Sequence, residues 1–275
     1  MRALFFGILG CLIAVANAAN QEINHYTFAV VPQFPPTQIY KEWQPLLKRL
    51  NADTGLFLEL KIPASIPKFE AMFLRGETDF AYLNPYHAVM AWRAQNFQPL
   101  IRDSKLLTGI LVVRNDGPKE VKELEGKAIG FPAPNAFGAS LYMRALLAEE
   151  VGIHIEPRYL ETHSNVYRHV IVGDVAAGGG VKATFTSEPD GVKEQLRILY
   201  ETVGVAPHPI VVRPSVPTAD QRKVLKALLA LFETPAGREL LAAVRMPTPM
   251  AADYERDYRS LEKLRIDKYV VTESK

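Results

Sequence analysis

Two turns in the first half of the sequence carry polar and aromatic side chains directly after apolar runs that have the length of buried strands. Gln33 lies in the turn after the first run, and the turn after a later run contains Tyr82, Asn84 and Tyr86. Amide and phenol groups hydrogen-bond without carrying charge, and open α/β sheets bind ligands beyond the carboxyl ends of their strands. These residues are candidates for binding a polar ligand. The structural alternative is that the neighbouring prolines start helices and the tyrosines cover apolar surface.

The second half of the sequence contains a strand-to-helix turn made mostly of small residues. Its candidate contacts, through side chains or through the backbone, are Asn135, Ala136, Phe137 and Ser140. Small side chains let the N–H groups at a helix N-terminus come close to a ligand, which is required to hold an anion without a charged side chain. We therefore expect this turn to bind the anionic part of a ligand.

Another turn in this half is dense in hydrogen-bond donors. His163, Ser164 and Asn165 stand where a predicted strand passes into a helix, and Arg168 follows on that helix. Ser164 or Asn165 would cap the helix, which leaves His163 unexplained. His163 and Arg168 would supply positive charge to an anion. The glycines at 178–180 would let a ligand or a facing backbone come close, or would form a strained turn.

Patterns typical of catalysis or metal binding are absent from the sequence. It has no Gly-x-Ser-x-Gly turn, no His-Glu-x-x-His helix and no Walker loop, and its one cysteine, Cys11, lies near the N-terminus. The six histidines are scattered, and the spacing of His163 and His169 does not place them on one helical face. We predict that the protein is not an enzyme and uses neither a metal nor another cofactor.

The candidate residues need a scaffold that brings the ends of several strands together. Short apolar runs alternate with helical patterns over residues 26–103, as in β-α-β units, and the alternation recurs over 106–202. We predict an α/β fold with two lobes, each a mixed sheet flanked by helices, with the ligand cleft between them. The predicted boundaries are 19–105 and 207–275 for lobe 1 and 106–206 for lobe 2. No flexible linker separates the halves, so the lobes would close by a hinge.

The first 18 residues have the pattern of a secretory signal peptide. Arg2 precedes an apolar stretch from Ala3 to Val15, and Ala16-Asn17-Ala18 offers the small residues that signal peptidase requires. The stretch is too short for a transmembrane helix. We expect export to the periplasm with cleavage before Ala19. A lipoprotein anchor at Cys11 is less favoured, because it would discard the apolar run that follows it.

The charge of the chain limits its partners. The 275 residues carry a formal net charge of +2, and basic and acidic residues are interleaved along the sequence. Proteins that bind nucleic acids through phosphates usually present a basic face. We therefore expect a small-molecule anion as ligand and no nucleic acid partner.

Taken in order, these motifs resemble the phosphate/phosphite/phosphonate-binding, PhnD-like family of periplasmic solute-binding proteins of ABC transporters. The resemblance rests on the stretch from Asp79 to Tyr86, the turn from Pro132 to Ser140 and the segment from His163 to Gly180, and it extends over nearly the whole chain after residue 18. It implies a type II periplasmic binding fold whose ligand oxyanion lies on helix N-termini and hydroxyls between the lobes. It also implies a monomer whose partner is the membrane permease of an ABC transporter.

One turn departs from the family pattern. Phosphonate-binding members have a Ser-Thr-Ser-Gly type turn where this chain has Asn135-Ala136-Phe137-Gly138, so several hydroxyl donors are missing. Phe137, Tyr82 and Tyr86 would suit a ligand with an apolar portion beside its polar group. The resemblance implies a phosphonate-, phosphate- or phosphite-like ligand, and a non-phosphorus organic anion is an alternative. A further alternative is a sensory subunit of the same fold that signals to a membrane receptor or kinase.

Overall fold

The computed structural model describes residues 23–271, so the predicted signal peptide and Cys11 lie outside the described residues. The chain forms two sheets, each flanked by helices. The strands are β1 (His25–Val30), β2 (Phe57–Lys61), β3 (Phe80–Tyr82), β4 (Gln98–Asp103), β5 (Gly109–Arg114), β6 (Ala128–Phe131), β7 (Glu156–Tyr159), β8 (Ala177–Val181), β9 (Leu196–Glu201), β10 (Ile210–Val212) and β11 (Pro249–Ala251). The α-helices are α1 (Pro36–Thr54), α2 (Ile66–Leu74), α3 (Pro85–Gln95), α4 (Tyr142–Leu146), α5 (His163–Val172), α6 (Lys182–Thr186), α7 (Asp190–Lys193), α8 (Thr218–Leu231), α9 (Pro235–Ala243) and α10 (Tyr254–Asp257).

The helix around α4 is longer than α4 itself. A π-helical turn, Phe137–Leu141, precedes α4 and another, Leu147–Val151, follows it, so the chain is helical throughout 137–151. We call this run the long helix. The 3-10 turns Arg259–Leu264 and Ile266–Tyr269 follow α10, and we call residues 259–271 the C-terminal segment.

The two sheets define the two lobes. The sheet of lobe 1 has the strand order β11-β4-β10-β3-β1-β2, and the sheet of lobe 2 has the order β7-β6-β8-β5-β9. Both sheets are mixed, because β10 runs antiparallel to β3 and β4 while β5 runs antiparallel to β8 and β9. The predicted α/β fold of two mixed sheets flanked by helices is confirmed.

Helix α1 shows how the sequence builds lobe 1. Ile39, Trp43 and Leu47 recur at helical spacing on its buried face, and Pro36 at its first position has the φ angle that a helix start needs. Gly55 ends the helix in the left-handed region at φ +68°, where a residue with a Cβ is strained. The buried face covers the sheet that β1 and β2 form.

Two extended segments join the lobes. Residues 104–108 lead from β4 to β5 and residues 202–209 lead from β9 to β10, and we call them the crossing segments. They pair through an antiparallel bridge in which the Leu107 and Val205 backbones exchange hydrogen bonds of 2.8 and 3.0 Å. Two adjacent segments that join two lobes are places where a hinge can form.

The C-terminal segment makes a further connection between the lobes. The Lys268 ammonium and the Tyr269 hydroxyl both bind Glu149 of the long helix at 2.9 Å. The core also crosses the boundary, because Phe137 and Tyr142 of the long helix belong to the same buried apolar cluster as the lobe 1 strands. Among the described residues, no helix is both long and apolar enough to cross a membrane.

Candidate functional site

Three parallel strands of lobe 1 end at one edge of its sheet. β1 pairs in the same direction with β2 and β3, and Val30 lies opposite Tyr82. The turn after β1 therefore lies beside the turn after β3, at the edge where open α/β sheets bind ligands. Gln33 is exposed at this edge, whereas Tyr82, Asn84 and Tyr86 are buried there. The topology thus brings the lobe 1 candidates to one edge.

Tyr82 is the aromatic centre of this edge. Its ring centroid lies 4.7 Å from that of Trp43 and 5.5 Å from that of His208, on which it stacks. Burial raises the pKa of Tyr82, so the phenol keeps its proton at physiological pH. No hydrogen-bond partner of this hydroxyl is found among residues 23–271. The Tyr82 hydroxyl is therefore a donor available to a ligand.

His208 belongs to this edge although the sequence pattern does not predict it. It lies in a crossing segment just before β10, the strand that pairs with β3. Burial, followed by the charges of His87 and Arg245, lowers the pKa of His208 to about 3. The imidazole is therefore neutral at physiological pH and offers one donor and one acceptor. Its place before a predicted strand is the only signal that the sequence carries for it.

Asn84 and Tyr86 start helix α3. The Asn84 Oδ1 accepts a hydrogen bond from the His87 backbone N–H at 2.7 Å, so Asn84 caps the helix that Pro85 starts. Tyr86 is 7% exposed, and burial, followed by the charges of Asp267 and Glu70, raises its pKa to about 12. Its hydroxyl remains a proton donor. A ligand contact by either residue stays a prediction.

A positive charge reaches this edge from a distant part of the chain. The Arg245 guanidinium lies 4.0 Å from the centre of the Phe34 ring, next to Gln33, and pairs with Glu42 at 2.8 and 3.2 Å. Arg245 has a φ of +62°, a strained conformation for a residue with a side chain and one found often at functional sites. The hydrogen bond from Arg245 lowers the pKa of Glu42 despite partial burial. No spacing in the sequence connects Arg245 to the turn after β1, so sequence reasoning misses it.

The lobe 2 candidates also lie at an edge where parallel strands end. β6 runs parallel to both β7 and β8. The turns that follow these strands lead into the long helix, α5 and α6. Two predicted contacts at this edge, Ala136 and Phe137, stand at the start of the long helix. Because the first N–H groups of a helix have no acceptor within it, this helix start presents donors to an anion.

Asn135 and Ser140 are engaged within the protein. Asn135 binds the Val271 backbone twice, donating from Nδ2 at 2.9 Å and accepting at Oδ1 at 3.0 Å. The fully buried Ser140 hydroxyl donates to the Pro134 carbonyl at 3.0 Å and accepts from Arg144 Nε at 3.2 Å. Their roles as ligand contacts remain predictions, and each would require these hydrogen bonds to be exchanged.

The Phe137 side chain is buried against other side chains and is not exposed at this edge. Its ring is 4% exposed and stacks on Tyr142, with centroids 5.5 Å apart and planes 8° apart. The backbone at Ala136 is half-buried, and its carbonyl accepts from the Ser140 and Leu141 N–H groups at 2.9 and 3.1 Å. Among the groups at this turn, the N–H groups of the helix start are thus the best placed for a ligand.

The glycines at 178–180 lie in β8, and protein atoms face each of them. A Cβ on Gly179 would lie closer than 3.0 Å to the Ala139 carbonyl oxygen and to the Phe131 ring, and Cβ atoms on its two glycine neighbours would meet side chains of α5. Of the alternatives open from sequence, a facing backbone is observed at Gly179, whereas side chains face Gly178 and Gly180. The glycines let the long helix and α5 lie directly on the sheet.

His163 borders a cavity of about 430 Å³ at the same edge. Its Nδ1 is buried and has no hydrogen-bond partner within residues 23–271. Burial lowers the pKa of His163, against the opposing influence of Glu188. A neutral ring with an unpaired buried nitrogen is costly unless a ligand or water completes its hydrogen bonds. His163 is the predicted lobe 2 side chain whose geometry favours a ligand most.

The two residues after His163 are hydrogen-bonded to the protein. The Ser164 hydroxyl donates to Glu188 at 2.6 Å, and the Asn165 Nδ2 donates to the Leu160 carbonyl at 3.1 Å. The helix cap comes instead from Thr162, whose Oγ1 accepts from the Asn165 backbone N–H at 3.1 Å. Ser164 nevertheless lines the cavity beside His163, whereas Arg168 is exposed on α5.

The two edges together suit non-covalent binding of an anion. Lobe 1 supplies the Tyr82 hydroxyl, a neutral His208 and the Arg245 cation, and lobe 2 supplies helix N–H groups and a neutral His163. Groups of this kind recognise an oxyanion through hydrogen bonds. In the described part of the chain, no group of three or more His, Cys, Asp or Glu side chains is placed to hold a metal ion.

A known protein family matches most of the chain. The model of the family described as the phosphonate-binding periplasmic substrate-binding protein of ABC transporters matches residues 28–258. No curated protein sequence matches the chain.

Solved structures resemble the chain over most of its length. PhnD1 from Prochlorococcus marinus, in complex with methylphosphonate, superposes with a TM-score of 0.73 at 13% identity, covering 90% of this chain and 99% of that one. XAC2383 from Xanthomonas citri, bound to ATP, gives a TM-score of 0.79 at 15% identity and 90% and 100% coverage. A phosphonate-transporter binding protein from Pseudomonas aeruginosa gives 0.68 at 12% identity and 90% and 88% coverage.

At these identities the structural likeness shows the fold, and it confirms the two-lobed type II periplasmic binding fold that the resemblance implied. The family match spans most of the chain and confirms the resemblance itself. This family binds solutes in the periplasm for ABC transporters and is not a family of enzymes. The chain belongs to the family of periplasmic substrate-binding proteins of phosphonate ABC transporters.

Proposed function

We propose that this protein delivers a small oxyanion-bearing solute, phosphonate-, phosphate- or phosphite-like, to the permease of an ABC transporter, and that the solute binds between the two lobes. Membership of the family supports the transport role. The observation that supports the binding place is that the parallel strands of each sheet end at an edge that carries unpaired or neutral donors. Two of the similar structures carry methylphosphonate and ATP, which are both phosphorus oxyanions.

Each lobe would supply part of the binding energy. In lobe 1 the Tyr82 hydroxyl and the Arg245 guanidinium would face the oxyanion, with Gln33 and Tyr86 beside them. In lobe 2 the N–H groups at 137–139 and the His163 ring would complete the shell. Hydrogen bonds to a charged partner contribute about 1.5 to 3 kcal/mol each, so a few of them replace the hydroxyls that this chain lacks.

The mechanism requires movement but no chemistry. The ligand would bind one lobe first, and rotation about the crossing segments would then bring up the second lobe and exclude water. The closed form is the one that the permease would recognise. We further propose that lobe 1 comprises residues 19–105 and 207–275, that lobe 2 comprises 106–206, that residues 1–18 are cleaved on export, and that the protein acts as a monomer.

Thermal-shift screening tests the proposed ligand class. The panel contains methylphosphonate, phosphate, phosphite, aminoalkylphosphonates, sulfonates and aromatic acids. A ligand at 100 times its Kd stabilises the protein by about 2.7 kcal/mol, which raises the Tm of a chain of this size by roughly 5 to 10 °C. Hits confined to phosphorus oxyanions would support the proposal. Hits confined to sulfonates or aromatic acids would retain the fold and overturn the ligand class.

A further inference from the structure

A second cavity lies between the lobes, away from the candidate site. Its volume is about 540 Å³, within the range of roughly 300 to 1,000 Å³ that is typical of small-molecule sites. One wall is the long helix, a second is the crossing segment at 203–206, and a third is the chain at 256–264. We call it the rear cavity.

The order of the strands separates the rear cavity from the candidate site. The crossing segments connect to β4 and β10 in lobe 1 and to β5 and β9 in lobe 2. The candidate residues follow β1, β3, β6 and β7, whereas the rear cavity is lined by Arg102 of β4, Tyr200 of β9 and the chain after β11. None of the predicted contacts lines the rear cavity. The strand order therefore places the rear cavity beside different strands from the candidate residues, although Phe137 stacks on Tyr142 of its lining.

One wall of the rear cavity is cationic. Arg102 is 6% exposed, and its Nε has no hydrogen-bond partner within the described range although the other guanidinium nitrogens bind Asp257 and the Asp103 carbonyl. Arg256 and Lys263 add two further cations to the wall, and Arg256 also pairs with Asp257. Asp257 is thus shared between two arginines, while Lys263 has no ion-pair partner among residues 23–271. With Glu150 and Asp257 counted, the lining carries three cations and two carboxylates, which leaves one positive charge for an anionic ligand.

The rest of the lining is mostly apolar and partly aromatic, with one carboxylate, Glu150, among it. Tyr142 and Leu146 stand four residues apart on the long helix and face the cavity together with Tyr200 and Leu261. Leu106 and Val203 of the crossing segments extend this surface and are 50% and 81% exposed. Apolar side chains exposed beside a concave site mark a place where an apolar group gains by leaving water.

We propose that the rear cavity is a second binding site, for a small amphipathic organic anion such as an aromatic or short-chain alkyl carboxylate or sulfonate. The acidic group lies against the cationic wall, where the Arg102 Nε has no hydrogen-bond partner and Lys263 no ion-pair partner within residues 23–271. The apolar part covers Tyr142, Leu146 and Leu261. The pairing of a desolvated guanidinium with an apolar wall selects such ligands over inorganic phosphate, which has no apolar part to bury.

The test uses 8-anilinonaphthalene-1-sulfonate, an aromatic sulfonate that fluoresces when it leaves water, titrated into the purified folded protein. We expect saturable binding at one site. Ser260 is exposed and lines the cavity, so Ser260→Trp fills the space without disturbing the core and weakens binding about tenfold or more. Ser260→Ala is the matched control and leaves the affinity as in the wild type. Lys263→Glu weakens binding roughly fivefold through charge repulsion.

We expect the uncharged analogue N-phenyl-1-naphthylamine to bind much more weakly, because it has no acidic group to interact with the cationic wall. His163→Ala retains full probe affinity, which separates this site from the proposed transport site. The proposal is overturned by the absence of saturable probe binding, by equal affinity in Ser260→Trp and Ser260→Ala, or by equal affinity for the charged and uncharged probes. Circular dichroism of each variant verifies that the fold is retained.

Discussion

Replacing Gly179 by alanine tests whether the space next to this residue of β8 is filled by protein atoms or is left for a ligand. The added Cβ would lie closer than 3.0 Å to the Ala139 carbonyl oxygen, and also to the Phe131 ring. The first is backbone of the long helix and the second is a fully buried ring, so neither can move aside without shifting an element. The substitution must therefore push the long helix away from its sheet.

The close contacts at Gly179 determine the expected loss of stability. Overpacking of this kind destabilises a protein by about 1 to 3 kcal/mol. At roughly 2 to 4 °C per kcal/mol for a chain of this size, the Tm should fall by about 2 to 12 °C. Gly191→Ala is the matched control, because a Cβ there would have no atom within 4 Å and the residue lies in helix α7. The alanine should stabilise that variant by about 0.4 to 1 kcal/mol, because it reduces the conformational entropy of the unfolded chain.

Differential scanning calorimetry of both variants without ligand measures the effect, followed by titration with the strongest ligand of the screening panel. A lower Tm for Gly179→Ala and an unchanged or higher Tm for Gly191→Ala are expected. If Gly179→Ala kept its Tm and lost only ligand affinity, the space next to Gly179 would be part of the ligand site. That result would refute close packing as the reason for the three glycines.

Three further predictions concern single side chains. His163→Ala should weaken ligand affinity, measured by calorimetric titration, about tenfold without lowering the Tm, because its buried Nδ1 has no hydrogen-bond partner among residues 23–271. Asn135→Ala should lower the free energy of unfolding by about 1 to 2 kcal/mol in urea, because two hydrogen bonds to Val271 are lost; an unchanged value would show that the C-terminal contact contributes nothing. Burial alone would raise the pKa of Asp257, but hydrogen bonds from its two arginine partners outweigh burial and hold the pKa below its ordinary value. Its contribution to stability is therefore complete above the unfolded pKa of about 3.9 and is lost as the pH falls below that value, so Asp257→Asn should flatten the acid side of the Tm against pH profile; equal profiles would contradict this.

The amphipathic helices and alternating strands of this chain can be predicted because each repeats a local pattern. The apolar face of α1 and its stop at Gly55 are visible in sequence, and so are β6 and β10 with the bounds that the structure has. β8 could not be predicted, because Ala177–Val181 is mostly glycine and has low strand propensity. It is a strand because the long helix and α5 pack on it, and such tertiary contacts leave no local period.

The candidate site shows the same division. Residues next to a predicted strand end, such as Tyr82 and His163, could be selected because topology places strand ends together. Arg245 could not, because its contact with Phe34 joins two loops that are distant in sequence. Nor could the engagement of Asn135 by Val271 be foreseen, since it depends on where the C-terminal segment crosses between the lobes. Local sequence indicates which groups stand at an edge, and only the fold shows which of them already have partners.

Binding between the lobes is tested most directly by calorimetric titration of one variant from each lobe with the best phosphorus oxyanion of the panel. His163→Ala removes from lobe 2 a ring whose buried Nδ1 has no hydrogen-bond partner within residues 23–271. Tyr82→Phe removes from lobe 1 the hydroxyl proposed to face the oxyanion. If the ligand binds between the lobes, each variant should bind it about tenfold more weakly while its Tm without ligand stays that of the wild type. Wild-type affinity in either variant would place the ligand on one lobe alone or elsewhere, and would contradict binding between the lobes.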